Sequence, residues 1–278
     1  MPSPLSTQPA PTLPARPFLK WAGGKSRLIP QYTPYFPSHY RTYYEPFLGG
    51  GAIFFHLQPP RAVLSDVNAE LVNVYTCIRD HLEEVIQQLE SHARQHCHDY
   101  YYQIRALHPS TSVQRAARFI YLNRTCFNGL YRENSKGQFN VPMGRYQKPK
   151  ICDRELLKAV SKILQPIQIH QQSFTAVLEV AHAQDFVYFD PPYQPISATS
   201  DFTSYSRGTF TTADQTQLAQ VFSTLASRGT KVMLSNSDCP FMHELYKNYN
   251  IHPIQASRSI NSNPQKRGKI AEILVTSW

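Results

Sequence analysis

Asp185-Phe-Val-Tyr-Phe-Asp-Pro-Pro-Tyr193 is an apolar run that ends on a carboxylate, two prolines and an aromatic ring. It reads as a buried strand whose end delivers Asp190, Pro191, Pro192 and Tyr193 to one point. Each piece has a use if the substrate is a flat ring carrying an amino group. The Asp190 carboxylate and a main-chain carbonyl can accept both amino N–H bonds, while Tyr193 stacks on the ring face. Consecutive prolines fix φ at about −65° and donate no N–H, so carbonyls there stay available in a stiff frame. The plain alternative is a strand that stops at a Pro-Pro turn.

Outward from this point, strands and helices alternate. Tyr43–Leu48 reads as a strand broken by Gly49-Gly50-Gly51, with a helix opening at Ala52, and Ala62–Ser65 as a second strand ending on Asp66. From Asn68 to about Leu107 the apolar spacing is helical, carried by Leu71, Val74, Ile78, Leu82, Val85, Ile86 and Leu89. A basic helix over Arg154–Leu164 follows, then strands at Ile167–His170, Phe186–Phe189, Lys231–Leu234 and Ile270–Thr276. A capping box, Thr212-Ala-Asp-Gln215, opens a helix that ends at Gly229. The pattern predicts an α/β domain made of 18–75 and 166–278, interrupted by a mostly helical insertion over 76–165.

That insertion changes the chain's character. Arg115, Arg118, Arg124, Arg132, Lys136, Arg145, Lys148 and Lys150 stand against the single acid Glu133, interleaved with Phe127, Tyr131, Phe139 and Tyr146. A helix to about Asn123, a loop and a β-hairpin turning at Ser135–Gly137 are expected there. The net charge of +9 and a pI near 9.3 point to a polyanionic partner. The 278 residues suffice for one large domain with an insertion. Cys77, Cys97, Cys126, Cys152 and Cys239 form no CxxC pair, which fits a reducing cytoplasm and argues against disulfides or structural zinc. No apolar run is long enough to span a bilayer. Residues 1–17, rich in Pro, Ser and Thr without an apolar core, read as a disordered tail and not a signal peptide.

Glu45-Pro-Phe-Leu-Gly-Gly-Gly51 sits where a strand turns into a helix, so a ligand can approach the backbone and an anionic group is favoured. A dinucleotide fingerprint needs a third glycine where Phe54 stands, which argues against NAD. Asp66 remains well placed for ribose hydroxyls, so a nucleoside-containing cofactor without a pyrophosphate satisfies both observations. A glycine-rich turn beside a surface aspartate is the plain alternative. Gly24-Lys25-Ser26 imitates a phosphate-binding loop, but Leu19 replaces its first glycine and an ATPase is rejected. Lys25 and Trp21 either line the cofactor pocket or serve structure alone. His81-Leu-Glu83 lacks the Pro-Cys-x-x-Cys of a zinc deaminase. His92, His96 and His98 with Cys97 read as a solvated helix end rather than a metal site, and nothing activates Cys239 as a nucleophile.

Taken together and in order, Phe18–Lys25, Glu45–Gly51, Ser65-Asp66, Asp190–Tyr193 and Ser235-Asn236 resemble the Dam-type adenine-N6 DNA methyltransferases. The resemblance extends through Leu122–Arg132 and Gly137–Tyr146, and through Arg258–Asn261, Arg267 and Glu272. It implies a Rossmann-like S-adenosyl-L-methionine-dependent methyltransferase fold. Cofactor contacts are implied at Trp21, Lys25, Glu45, Phe47, Gly49, Gly51, Asp66 and Asp190, and catalysis at Asp190–Tyr193. Ahead of the catalytic strand, where members of the family often carry an acidic or other polar residue before an aromatic, this chain has Ser173-Phe174. Double-stranded DNA is implied as partner, met by Arg124, Phe127, Asn128, Leu130, Arg132, Pro142, Arg145, Tyr146 and Lys148. Arg132 is the expected guanine reader and Phe127 a wedge beside a flipped-out base. The implied target is GATC, and the implied setting a cytoplasmic monomer with a possible cognate restriction endonuclease. Cytosine N4, RNA or another DNA sequence is the alternative substrate; a DNA-binding module without catalysis is the alternative from another class. An aspartate instead of a serine before Pro-Pro-Tyr leans towards adenine.

Overall fold

A computed structural model of the chain describes residues 14–195, 210–257 and 269–278. Among them, strands β1 (Tyr43–Glu45), β2 (Ala62–Asp66), β3 (Gln168–Gln171), β4 (Phe186–Phe189), β5 (Lys231–Ser237), β6 (Asn250–Ser257) and β7 (Lys269–Thr276) form one sheet. Its order is β3-β2-β1-β4-β5-β7-β6. The first five strands are parallel, whereas β7 runs antiparallel to both β5 and β6. Strand order therefore reverses between β1 and β4, and in open α/β sheets ligands bind beyond the carboxyl ends at such a switch point. The α/β, Rossmann-like expectation holds.

The four side chains of β4 are fully buried, alternating between two cores: Phe186 and Tyr188 face one, Val187 and Phe189 the other. Helices cover both faces: α1 (Ile29–Tyr32), α2 (Ala52–Leu57), α3 (Ala69–Asp80), α4 (Leu82–Gln95), α5 (His98–Ala106), α6 (Ser112–Thr125), α7 (Arg154–Leu164), α8 (Val177–Val180), α9 (Thr212–Ser227) and α10 (Pro240–Leu245). The first core runs without a break from Tyr43 and Leu64 in the sheet to Leu89, Tyr121 and Leu157 in the helical segment.

Several expectations need correction. The helical stretch 68–107 is three helices, because the backbone leaves helical space at His81 (φ −132°) and Cys97 (φ −149°). Asn68 caps the first of them by accepting from the Leu71 N–H at 3.1 Å. The capping box lies one residue earlier, formed by Thr211 and Asp214. Ala15 is buried in the core, so packed chain begins before Phe18; residues 1–13 of the expected tail lie outside the described residues. His92 is no solvated helix end: it is buried against Tyr100, 2.7 Å from its hydroxyl, and burial pushes its pKa down to about 4. The hairpin is present but narrow, with Glu133 bridged to Phe139 and Gly137 at φ +75° closing the turn onto Asn134.

Candidate active site and nucleic-acid interface

Asp190 is the first residue beyond β4, at the switch point. Lys25 follows the glycine turn Gly23-Gly24 and is only 4% exposed. Its Nζ lies 2.8 Å from Asp190 Oδ1, 2.6 Å from the Gly23 carbonyl and 4.6 Å from the Tyr193 ring centre. Ser235 Oγ, on β5, donates to the same Oδ1 at 2.8 Å and lies 2.9 Å from the Tyr188 hydroxyl. Because the Ser235 proton goes to Asp190, Tyr188 donates to Ser235. A directed chain, Tyr188 to Ser235 to Asp190, thus supports the carboxylate from inside the sheet. Among the described residues every bond to this carboxylate ends on Oδ1, which leaves Oδ2 for a ligand.

The segment after Asp190 is held as firmly. The Pro192 carbonyl accepts from Gln215 Nε2 on α9 at 2.9 Å, and Gln215 Oε1 accepts from Asn236 Nδ2 at 3.1 Å. Asn236 Oδ1 takes the Gln194 N–H at 3.0 Å. No described residue donates to the Pro191 carbonyl, the acceptor expected beside Asp190. The Tyr193 hydroxyl donates to Glu272 Oε2 at 2.8 Å, and burial raises the Glu272 pKa.

Across the switch point the glycine turn leads into α2. Gly49 has φ +47°, and a Cβ there would stand 2.8 Å from Trp21 Cδ1. Gly51, at φ +65°, packs against Tyr75 and Phe55. Only glycine fits this turn. Asp66, at the end of β2, accepts the N–H groups of Gly49 (3.1 Å) and Asn68 (3.0 Å), and burial raises its pKa against them. Phe47 stacks on Phe174 with ring centres 5.4 Å apart, and Val67 beside Asp66 is 66% exposed. A backbone that admits close approach, a carboxylate, a buried cation and an aromatic pair fit a nucleoside-containing group that ends in an amino acid.

Glu45 has a different place. It is 2% exposed, and its Oε2 accepts from the Tyr43 hydroxyl (2.8 Å) and the Phe54 N–H (3.2 Å). It supports the start of α2 and offers little surface to a ligand. Burial, then the Asp190 charge, pushes its pKa from 4.5 to about 8. The folded form therefore holds a proton that the unfolded chain releases. The associated stability is complete below the ordinary value and lost as pH rises through about 8. Glu45→Gln is expected to flatten the fall of unfolding free energy over that window; equal slopes in urea titrations of both proteins would contradict it.

The expected DNA-facing residues divide by exposure. Phe127 is 50% exposed on a single helical turn (Phe127–Gly129) in which Asn128 adopts φ +55°. Arg132, Pro142, Arg145 and Lys148 are exposed; Leu130 and Tyr146 are half-buried. The Pro142 carbonyl ties the hairpin to Phe127 N–H at 2.9 Å, and Arg132 Nε donates to Asn140 Oδ1 at 2.7 Å. Arg124 is turned to structure: Nε donates to the Lys150 carbonyl at 3.1 Å and burial lowers its pKa. Arg258–Asn261 and Arg267 lie outside the described residues. Lys20, not singled out in the sequence, places Nζ 3.9 Å from the Tyr146 ring centre. Tyr188 and Gln215 were also missed, since each reads as an ordinary core or helix residue; a polar Ser235-Asn236 closing an apolar strand was the available signal.

The chain matches the family described as D12 class N6 adenine-specific DNA methyltransferase over residues 21–260. It is 46% identical over 271 residues to a type II methyltransferase of Lactococcus lactis subsp. cremoris, covering 95% of each chain. A type II methyltransferase of Methanocaldococcus jannaschii is 40% identical over a 286-residue alignment that covers 95% of this chain and 99% of the relative. The DNA adenine methylase of Escherichia coli K12 is 36% identical over 263 residues, covering 93% and 94%.

Proposed function

The chain belongs to the D12 class of N6 adenine-specific DNA methyltransferases, and from that premise we propose that it methylates adenine within GATC in double-stranded DNA, using S-adenosyl-L-methionine. The observation that carries the reading is Asp190 at the switch point, its Oδ1 filled from within and its Oδ2 open. Trp21, Lys25, Phe47, Gly49, Gly51 and Asp66 would hold the cofactor, with Lys25 meeting its carboxylate and Asp66 its ribose. When bound, S-adenosyl-L-methionine supplies an electrophilic methyl group on a positively charged sulfur.

The adenine amino nitrogen is a poor nucleophile because its lone pair is delocalised into the ring. Oδ2 of Asp190 and the Pro191 carbonyl accept its two N–H bonds, which favours a more tetrahedral nitrogen with a directed lone pair. Held this way, the lone pair would face the methyl group that the cofactor supplies, and Asp190 Oδ2 would take the proton that the nitrogen loses. Positioning of this kind is worth about 7–11 kcal/mol in well-oriented systems. Tyr193 stacks on the extruded base, contributing about 1–3 kcal/mol against an unstacking cost of a few kcal/mol. Segment 76–165 supplies phosphate contacts and reads the target, with Phe127 as wedge; the hairpin's likeness to its family counterpart supports GATC.

Expression in a host without adenine methylation, followed by mapping of N6-methyladenine, tests the proposal. Methylation at GATC is expected; another adenine-centred sequence would overturn the target, and methylated cytosine or none would overturn the chemistry. Asp66→Ala should weaken cofactor binding by roughly 1.5–3 kcal/mol, as a charge-assisted acceptor is lost. Unchanged affinity by calorimetry would place the ribose elsewhere. In the hairpin, Arg132→Ala is expected to cost ~1–3 kcal/mol of discrimination at one base, spreading methylation to sites that differ there. Lys148→Ala should weaken all sites alike and lower the salt dependence by about one counterion. A uniform loss of activity in Arg132→Ala, with no base relaxed, would make Arg132 a phosphate anchor. The type II relatives support a cognate restriction endonuclease as partner, to be sought beside the gene.

A further inference from the structure

One buried amide joins the cofactor side of the molecule to the side that meets DNA. Asn123, near the end of α6, is 3% exposed, and its Oδ1 accepts the Lys20 main-chain N–H at 2.8 Å. Its Nδ2 donates to the Lys20 carbonyl at 2.7 Å and to the Gly129 carbonyl at 3.1 Å. A single side chain therefore grips both main-chain groups of Lys20 and, with its remaining proton, the turn that carries Phe127 and Asn128. The fit is tight: a Cβ on Gly129 would stand 2.5 Å from Lys20 Cβ and Cδ.

Trp21, the next residue, meets the glycine turn at one edge, and its ring centre lies 5.9 Å from that of Tyr131 and 6.4 Å from that of Phe119. Tyr131 directly precedes Arg132, and Lys20 Nζ caps the Tyr146 ring. Residues 20–21 are thus packed between the expected cofactor pocket and three expected DNA-contacting segments. A shift of Trp21 on the cofactor side is passed to the Phe127–Gly129 turn through Lys20, the residue before it, because the amide is bonded to the main chain of Lys20 and to the Gly129 carbonyl. A buried amide with its three bonds made resists rearrangement, since a broken bond inside the protein leaves an unpaired polar group.

We propose that Asn123 is a positioning residue that couples cofactor binding to recognition of the DNA target, so that each ligand tightens the other. The proposal rests on the methyltransferase reading above. Linkage makes such coupling reciprocal, and typical factors run from about 5-fold to 150-fold.

The test uses the full chain and S-adenosyl-L-homocysteine as a probe that cannot turn over. Its dissociation constant is measured by calorimetry with the protein alone, with a saturating duplex that the parent methylates, and with a scrambled duplex. The parent is expected to bind the probe at least ~5-fold more tightly on the methylatable duplex than alone, and no tighter on the scrambled one. In Asn123→Ala the ratio should fall to within about 2-fold of one, with affinity for the free protein nearly unchanged, which a general loss of structure would not produce. Gly129→Ala presses its Cβ on the Lys20 side chain without removing the amide, and should also lower the ratio; it carries the test if Asn123→Ala does not fold. A parental ratio in either folded variant, or a ratio of one in the parent, overturns the coupling. A parent that binds no probe at all refutes the methyltransferase reading instead.

Discussion

Asp190→Ala is expected to abolish measurable methyl transfer, with a loss of at least ~3 kcal/mol of transition-state stabilisation by analogy with removal of one polar catalytic group. The expectation follows from how completely the carboxylate is oriented. Lys25 and Ser235 hold Oδ1 at 2.8 Å each, so Oδ2 has little freedom left. Asp190→Asn keeps the shape but cannot present two acceptor oxygens, and should be nearly as inactive. Duplex affinity should change little in either variant if, as proposed, the phosphate contacts lie on 76–165. Single-turnover methylation beside a binding titration separates the two effects. Near-parental turnover in either variant would remove Asp190 from the chemistry.

Lys25→Met should be the second most damaging change, and it acts on stability as well as rate. Breaking a buried ion pair by removing one member costs about 3–5 kcal/mol when both are dry. Asp190 is 22% exposed, so water screens part of that cost and about 2–3 kcal/mol is the reasonable expectation. The rate should fall by at least ~100-fold, because a carboxylate freed to swing is misplaced by an ångström or more. The paired variant Lys25→Met with Asp190→Asn discriminates the two roles. Neutralising both partners should return most of the stability seen in urea unfolding and none of the activity. Recovery of activity in the double variant would mean that the pair serves folding alone.

The strands that position the site were legible because their apolar runs end on informative residues: Tyr43-Tyr44 before the glycines, Phe186–Phe189 before Asp190, Ala62–Ser65 before Asp66. Strand β6 was not. Asn250-Ile-His-Pro-Ile-Gln-Ala-Ser257 is weakly apolar and contains Pro253, which argues against a strand by local rules. It is tolerated because, among the described residues, β6 lies at the sheet's edge and pairs only with β7. The breaks at His81 and Cys97 were equally hidden, as neither carries the glycine or proline that usually marks one. For the site, the sequence offered Asp190, Lys25 and Asp66 as separate candidates. It could not disclose that Lys25 and Asp190 touch, that Glu45 turns inward, or that Asn123 spans two segments. Those are facts of tertiary packing between residues far apart along the chain, and no local pattern encodes them.

The position of β7 has a kinetic consequence. It leaves the ribosome after the six other strands, yet it lies between β5 and β6, pairing with both along most of its length. Until it arrives, β5 presents an open hydrogen-bonding edge through Leu234, Ser235 and Asn236, the stretch that supports Asp190 and the turn after it. Such an edge is a template for wrong partners, including the same strand of another nascent chain. The yield of active protein therefore depends on how quickly β7 covers that edge once β5 has formed.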